Sequence, residues 1–391
     1  MKIGVDVRSL LDKEPSGVGE YTYNLLVNLI RQDKQNEYVL FYNIFRSGQD
    51  EFILNNFKDK YPNVKIKSFN WPNKFFDFCL KFFKYPKLDK LIGGVDIFFS
   101  PNLHYTALSK TVKHVVTVHD VSFKIYPDMF SFRKKVWHSI LGVNPKKFFT
   151  QADLLLAVSN NTKRDLINFY HIDPERIAVT YLAAGKLFKD FQAQVPSKQL
   201  ANRLVEVRKK YDLANNYILS LSTLEPRKNI VSLIRAFDNL KQDEQLASLE
   251  LVIAGGKGWC YQDIYAAANE SPNKNQIKFL GYIKNRDKPY LYHLADILAW
   301  PSFYEGFGIP PLESMACGTP VVTSTASSLP EVVKDAAVLV SPFDVGEIAA
   351  GLKLVLENKK FKQVLINRGF VRINELSWQE TSKNTLSIFN Q

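Results

Sequence analysis

The stretch Pro301-Ser302-Phe303-Tyr304-Glu305-Gly306-Phe307-Gly308-Ile309-Pro310-Pro311-Leu312-Glu313-Ser314-Met315-Ala316-Cys317-Gly318-Thr319-Pro320-Val321-Val322 organises the reading of this chain. It follows the short apolar run Ile297–Trp300, which reads as a buried strand, and it leads into the helix predicted from Pro311. Gly306 and Gly308 let backbone N–H groups approach a ligand. Pro310 and Pro311 suit a helix start, and a helix start attracts anions. Glu305 and Glu313 stand eight apart, so a loop position and a first-turn position could turn both carboxylates to one side. Taken singly, each acid has a plain structural reading: a loop acid, and an acid favourable to the helix dipole.

Outward from this stretch the same alternation recurs. Tyr217–Leu221, Leu251–Ile253, Ile277–Leu280, Ile297–Trp300, Pro320–Val322 and Ala337–Val340 read as strands. Ile230–Leu240, Ile348–Leu356 and Phe361–Ile373 read as helices. An earlier series has strands at Ile3–Val7, Tyr38–Tyr42, Val95–Phe99, His114–Val118, Leu154–Val158 and Ile177–Tyr181. Its helices are Tyr21–Ile30 and Thr162–Tyr170, the latter with Ser159 and Asn160 as cap residues. Strands alternating with helices imply parallel sheets with both faces covered. The expected organisation is α/β, with two Rossmann-like domains facing each other across a cleft. The first spans 1–185, a polar interdomain segment with a lead-in helix 186–211, and the second 212–375. Residues 376–391 form a last helix.

Composition excludes other classes. The 391 residues are 46% hydrophobic and 23% charged, which is ordinary for a globular chain. Three cysteines without CxxC spacing exclude a zinc finger or a disulfide scaffold. No basic region followed by a long apolar run opens the chain, so no signal peptide is expected. No membrane span is legible either. The expected location is the cytoplasm, or the inner face of a membrane. The net charge of +12 is uneven: residues 1–200 hold 29 Lys+Arg against 19 Asp+Glu, and residues 201–391 hold 22 against 20. That excess suits an anionic partner, or simply a lysine-rich soluble surface.

Other strand ends carry further chemistry. Thr223-Leu224-Glu225-Pro226-Arg227-Lys228-Asn229 places two cations before a helix, where they oppose the helix dipole unless an anion neutralises them. A diphosphate does so, Arg by its fork and Lys as a point charge. Ser16-Gly17-Val18-Gly19-Glu20 is a glycine loop leading into a helix. His119-Asp120 ends the strand His114–Val118. A His there can bond a hydroxyl or polarise a leaving group.

These residues together resemble the retaining glycosyltransferases of family 4, which have the GT-B fold. The E-x7-E pair is Glu305 and Glu313 within an EGFG-x-P-x-LE-x-MA-x-G-x-PVV frame, and the likeness extends over nearly the whole chain. The resemblance implies that Glu313 holds the ribose hydroxyls of a nucleotide sugar and that Glu305 contacts the transferred sugar. Gly306 and the N–H groups of Phe307, Gly308 and Ile309 would lie near sugar and phosphates. Arg227 and Lys228 match the family's pair on the donor diphosphate. Some members carry a further Arg where this chain reads Ser220-Leu221-Ser222, which implies fewer phosphate cations here. Gly17 and Gly19 match the first loop, near donor phosphate and acceptor. His119 matches a residue close to the transferred sugar, with Asp120 orienting it or its loop. Gly281-Tyr282-Ile283 matches the base-binding loop, where backbone groups near Ile283 read the base. Leu376-Ser377-Trp378 and the following helix match the segment that crosses back onto the first domain.

The implied reaction is hexosyl transfer with retention, by front-face attack, to a saccharide or polyprenyl-linked acceptor in surface polysaccharide assembly. No cofactor and no metal are expected, because no DxD-type acid pair stands at a strand end. The long SGVG-E-YT opening and TLEPRKN look most like GDP-mannose users. UDP-glucose and UDP-N-acetylglucosamine stay open as donors, and a non-catalytic carbohydrate or lipid-carrier binding protein stays open as another class. A nucleotide-sugar epimerase lacks the Glu305–Glu313 frame, and a dehydrogenase would need a G-x-G-x-x-G that is absent. Residues 75–87 interleave phenylalanine and lysine. They read either as an amphipathic helix on an anionic membrane or as a helix burying its Phe face. No nucleic-acid signature accompanies them.

Overall fold

The computed structural model describes residues 1–11, 17–45, 57, 60–130, 144–193 and 198–391. The chain divides into two units. The first comprises Met1–Val121, Phe132–Leu182 and Trp378–Gln391; the second comprises Ser122–Ser131 and Ala183–Ser377.

The first unit holds β1 (Lys2–Asp6), β2 (Glu37–Asn43), β3 (Val64–Phe69), β4 (Ile97–Ser100), β5 (Lys113–Val118), β6 (Leu154–Ala157) and β7 (Ile177–Val179). All pair in parallel, in the order β3-β2-β1-β4-β5-β6-β7. The central strands are buried along nearly their whole length, because helices cover both faces of such a sheet. The edge strand β3 is the one the sequence pattern does not reveal. Its VKIKSF alternates apolar residues with exposed Lys65 and Lys67, a charged edge that discourages further pairing.

The second unit holds β8 (Tyr217–Leu221), β9 (Glu250–Ala254), β10 (Ile277–Gly281), β11 (Ile297–Trp300), β12 (Val321–Ser324) and β13 (Val338–Val340). Their order is β10-β9-β8-β11-β12-β13, again all parallel. Helix Ile230–Leu240 buries Ile230, Leu233, Ile234, Phe237 and Leu240, a stripe of helical period laid on the core with Leu251 and Ile253 of β9. The segment read as polar connection with a lead-in helix holds two helices, Lys186–Ala193 and Lys198–Lys210.

Each sheet reverses strand order once, between β1 and β4 and between β8 and β11. In open parallel sheets, ligands bind beyond the C-terminal strand ends at that switch point.

The last helix, Trp378–Phe389, belongs to the first unit and lies along helix Gly17–Gln32. Gln32 Nε2 donates to Ser382 Oγ at 2.6 Å, and Thr381 Oγ1 donates to the Tyr181 carbonyl at 2.6 Å. Trp378 packs 6.0 Å from Tyr21, and Phe389 5.3 Å from Phe99. Chain entropy alone would leave a terminus loose; this buried stripe ties it down.

Candidate active site

At the switch point of the second sheet, the loop after β8 meets the loop after β11. The first forms a tight 3-10 turn, Pro226–Lys228, and Asn229 follows in the left-handed region with φ 58°. Asn229 is buried, and its Nδ2 donates to the carbonyls of Pro301 (3.0 Å) and Pro342 (2.6 Å). One side chain thus staples the ends of β8, β11 and β13.

That staple sets the cations. Arg227 Nη1 donates to the Tyr304 carbonyl at 2.7 Å and to Glu305 Oε2 at 2.8 Å. Its Nη2 donates to Glu225 Oε1 at 2.6 Å. Lys228 Nζ donates to Glu305 Oε1 at 2.7 Å and sits 4.7 Å over the Trp300 ring. Burial pushes the Glu305 carboxyl upward, but the charges of Arg227 and Lys228 outweigh it and hold the group at about 2. The two cations are therefore neutralised within the protein, by Glu225 and Glu305. The anion that the sequence reading asks for beside this pair is thus supplied in part from within the protein. The reason is tertiary: Glu305 lies 77 residues from Lys228 in the chain.

The loop Glu305–Gly308 is itself fixed. Ser327 Oγ accepts from Glu305 N at 2.8 Å, and Ser328 Oγ donates to the carbonyls of Glu305 (2.8 Å) and Phe307 (2.9 Å). Gly308 has φ 100°, and a Cβ there would stand 2.7 Å from Leu329 Cδ2. Helix Ile309–Ala316 starts directly after it, so Gly306, Phe307, Gly308 and Ile309 form one continuous approach to a helix N-terminus. Glu313 falls in the second turn of that helix, not the first, and its Oε2 accepts from Tyr292 OH at 2.9 Å. Glu313 is buried. Ile283 follows Gly281, which has φ 67°, and its side chain is buried, so the loop after β10 presents backbone and the half-exposed Tyr282. The Ser222 hydroxyl at the end of β8 and the Trp300 indole nitrogen are buried polar atoms without a protein partner. Such orphans cost free energy unless a ligand or water meets them.

In the first unit, His119 follows β5. Its Nε2 lies 2.8 Å from the Pro101 carbonyl, and its ring packs edge-on to Tyr21 at 4.7 Å. A carbonyl only accepts, so Nε2 carries a hydrogen and the lone pair of the neutral ring is on Nδ1. Burial lowers the His119 pKa, against the pull of Pro101 and Asp120. Asp120 is next to it and half-buried. Gly17 and Gly19 sit in the first turn of helix Gly17–Gln32 and not on a loop before it, which corrects the expected helix start at Tyr21. Gly17 is exposed, and a Cβ there would touch nothing; Ser16 lies outside the described residues.

Pattern reading missed a second cluster, at the switch point of the first sheet. Arg8 forks onto Asp6 at the end of β1, Nε at 3.0 Å from Oδ1 and Nη2 at 2.6 Å from Oδ2. Arg8 Nη2 also donates to the Tyr105 carbonyl at 2.9 Å. His104 Nε2 is buried without a partner, and burial, followed by the Arg8 charge, lowers that His to about 4. The available signal was the spacing Asp6-Val7-Arg8 at a strand end. Tyr292, Glu225, Asn229, Ser327 and Ser328 had none, since each acts through the fold. Among the described residues, no three His, Cys, Asp or Glu side chains gather as metal ligands.

Two Rossmann-type units, one with a basic pair and carboxylate at its switch point, define the GT-B class of glycosyltransferases. The chain belongs to glycosyltransferase family 4, and it is an enzyme of hexosyl transfer. The model for Glycosyltransferase Family 4 matches residues 15–183, and the model for glycosyl transferases group 1 matches residues 206–372. The O-antigen chain mannosyltransferase B of Escherichia coli is 32% identical over 299 residues, 75% of this chain and 74% of that protein. The O-antigen chain mannosyltransferase RfbU of Salmonella typhimurium is 31% identical over 59% of this chain and 57% of its own. The match to the serotype-specific mannosyltransferase WbdA of Escherichia coli spans only 29% of that longer protein. A glycosyltransferase from Rickettsia africae shares the fold with a TM-score of 0.70 at 18% identity, over 99% of this chain and 97% of that one. Anabaena HepE in complex with UDP and glucose also scores 0.70 at 18% identity, over 100% and 99%.

Proposed function

We propose that the protein transfers mannose from GDP-mannose to a hydroxyl of a saccharide acceptor borne on a polyprenyl lipid. The reaction retains the anomeric configuration, needs no metal, and serves assembly of a surface polysaccharide on the cytoplasmic side of the membrane. The Arg227–Lys228–Glu305 cluster carries the reading; the sugar and the pathway follow the names of the mannosyltransferase relatives.

The bond from the anomeric carbon to the diphosphate breaks, and its electron pair passes to the phosphate oxygen. The acceptor oxygen bonds the same carbon on the same face, and its proton goes to the leaving phosphate. Arg227 and Lys228 offset the growing phosphate charge, a large term in such reactions. Glu305 holds both cations in place beforehand and meets the sugar hydroxyls. Glu313, oriented by Tyr292, accepts from the ribose hydroxyls. The N–H groups of Phe307, Gly308 and Ile309 face the phosphates, and backbone near Ile283 meets the base. His119 accepts a sugar hydroxyl at Nδ1, with Asp120 beside it, while Gly17 and Gly19 leave room for phosphate and acceptor.

Thermal shift against GDP- and UDP-sugars, with and without EDTA, tests this. At a hundred times Kd a donor adds about 2.7 kcal/mol. The expected result is a shift with GDP-mannose that EDTA does not alter. A shift with UDP-glucose or UDP-N-acetylglucosamine alone reassigns the donor. No shift with any nucleotide sugar favours a binding protein. An inverted product anomer, read by NMR, overturns retention.

A further inference from the structure

Residues 73–85 of the first unit carry an apolar surface that neither the core nor the proposed reaction uses. Phe75 is 55% exposed, Phe78 47%, Phe82 60%, Phe83 68% and Tyr85 66%. The four phenylalanines ride on helix Asn73–Phe78 and the π-helical turn Cys79–Phe83 that continues it, and Tyr85 follows two residues on. A π turn bonds i to i+5 and is wider than an α turn. Residues four and five beyond Phe78 therefore share its face: the Phe82 ring is 4.8 Å and the Phe83 ring 5.7 Å from that of Phe78. The core-facing side of the same segment is separate. Phe76 and Leu80 pack with Phe41, Leu88 and Phe98. The exposed rings are thus a second apolar face, not the margin of the first, and contiguous faces of this kind mark interaction sites.

The charge around it is one-sided. Lys74, Lys84 and Lys90 are exposed, and Lys81 is half-exposed with its ammonium 5.0 Å over the Phe82 ring. Partial burial and the like charges of Lys147, on helix Pro145–Gln151, and Lys87 lower the Lys84 pKa, so further cations neighbour Lys84 just past the π turn. Of the two carboxylates in the run, one is buried and the other, with its side chain 40% exposed, is paired with an arginine. Asp89 is buried and accepts from Ser109 N at 2.8 Å, and Asp77 lies 3.8 Å from Arg8 Nη1. Gathered lysines beside aromatic rings complement an anionic surface with an apolar layer beneath it. We infer that this face docks on an anionic phospholipid bilayer, the rings entering the headgroup–acyl boundary and the lysines lying among the headgroups. The contact of Asp77 with Arg8 ties the docking helix to the Asp6–Arg8–His104 cluster at the switch point of the first sheet. Docking therefore sets that strand-end cluster close to the headgroups. That a lipid-borne acceptor arrives there rests on the function proposed above; the docking face itself does not.

Vesicle flotation of the full chain tests it, using phosphatidylcholine vesicles with and without phosphatidylglycerol. The expected result is binding to the anionic vesicles alone, weakened by salt. Replacing Lys84 or Lys87 by Gln should lower partitioning about fivefold each. Phe82→Ser with Phe83→Ser should lower it about tenfold or more. Phe82, Phe83 and Lys84 are exposed and Lys87 is half-buried, so melting temperature and the shift with GDP-mannose should stay as in the unaltered protein, with Lys84→Gln as the control for Lys87→Gln. No vesicle binding, binding indifferent to these substitutions, or a self-association that they abolish would each overturn the docking face. Failure of GDP-mannose to shift the unaltered protein sinks the donor reading instead and leaves the flotation result standing.

Discussion

Lys228 Nζ stands 2.7 Å from Glu305 Oε1, although 77 residues separate them in the chain. With Arg227 on the other carboxylate oxygen, Glu305 closes a buried charge cluster where the second sheet reverses its strand order. The protein supplies the anion that its basic pair requires, so the cations are oriented before any phosphate reaches them.

Glu305→Gln should therefore do more than remove the proposed sugar contact. It removes the carboxylate that Lys228 meets and one of the two that Arg227 meets among the described residues, and breaking a buried pair in this way costs about 3–5 kcal/mol. Urea unfolding should show that loss. Adding a nucleoside diphosphate should recover more stability in the variant than in the parent, because its phosphates replace the missing charge. Equal recovery in both would separate the cluster from phosphate binding.

Acid should loosen the two units in different pH windows. Glu305 is held at about 2 against an ordinary 4.5, so its stabilisation is full above about 4.5 and fades as pH falls toward 2. His104 and His114 are both lowered to about 4 from 6.5, chiefly by burial. The unfolded chain binds their protons first, so the first unit loses stability as pH falls from about 6.5 to 4. Hydrogen exchange followed by mass spectrometry should show the first unit opening at the higher pH. Glu305→Gln should flatten only the lower window.

Two glycines should tolerate alanine unequally. Gly308→Ala places a Cβ 2.7 Å from the flexible end of Leu329 at φ 100° and should cost about 1–2 kcal/mol, mainly backbone strain. Gly255→Ala drives a Cβ to 1.8 Å from the Ser222 carbonyl oxygen at φ 134°. Backbone cannot swing aside, so this variant should lose far more of its stability. Melting temperatures in that order support the reading; the reverse order contradicts it.

Tyr292→Phe removes the hydroxyl that donates to Glu313 at 2.9 Å. A hydrogen bond to a charged group is worth about 1.5–3 kcal/mol. The side chain remains packed, so the variant should fold. On the function proposed above, where this contact orients the ribose and not the breaking bond, KM for the donor should rise while kcat changes little. A fall in kcat at unchanged KM would place Tyr292 elsewhere in the mechanism.

The sequence by itself determined the class of fold, because buried parallel strands are short apolar runs whose chemistry survives in one dimension. Of the thirteen strands among the described residues it concealed β3, where Lys65 and Lys67 break the apolar run at a sheet edge. It also marked Glu305, Glu313, Arg227, Lys228 and His119, since polar groups at strand ends stand out against apolar neighbours. Tertiary structure alone decided what those groups touch. The staple by Asn229, the Tyr292 bond to Glu313 and the neutralisation of Arg227 by both Glu225 and Glu305 join separate loops through the strand order of a sheet. It decided the Phe/Lys segment as well: helical period separates a buried face from an exposed one, but only the π turn brings Phe82 and Phe83 together over Phe78. Side-chain type is written residue by residue, whereas the distance between two charges depends on how every intervening strand is paired.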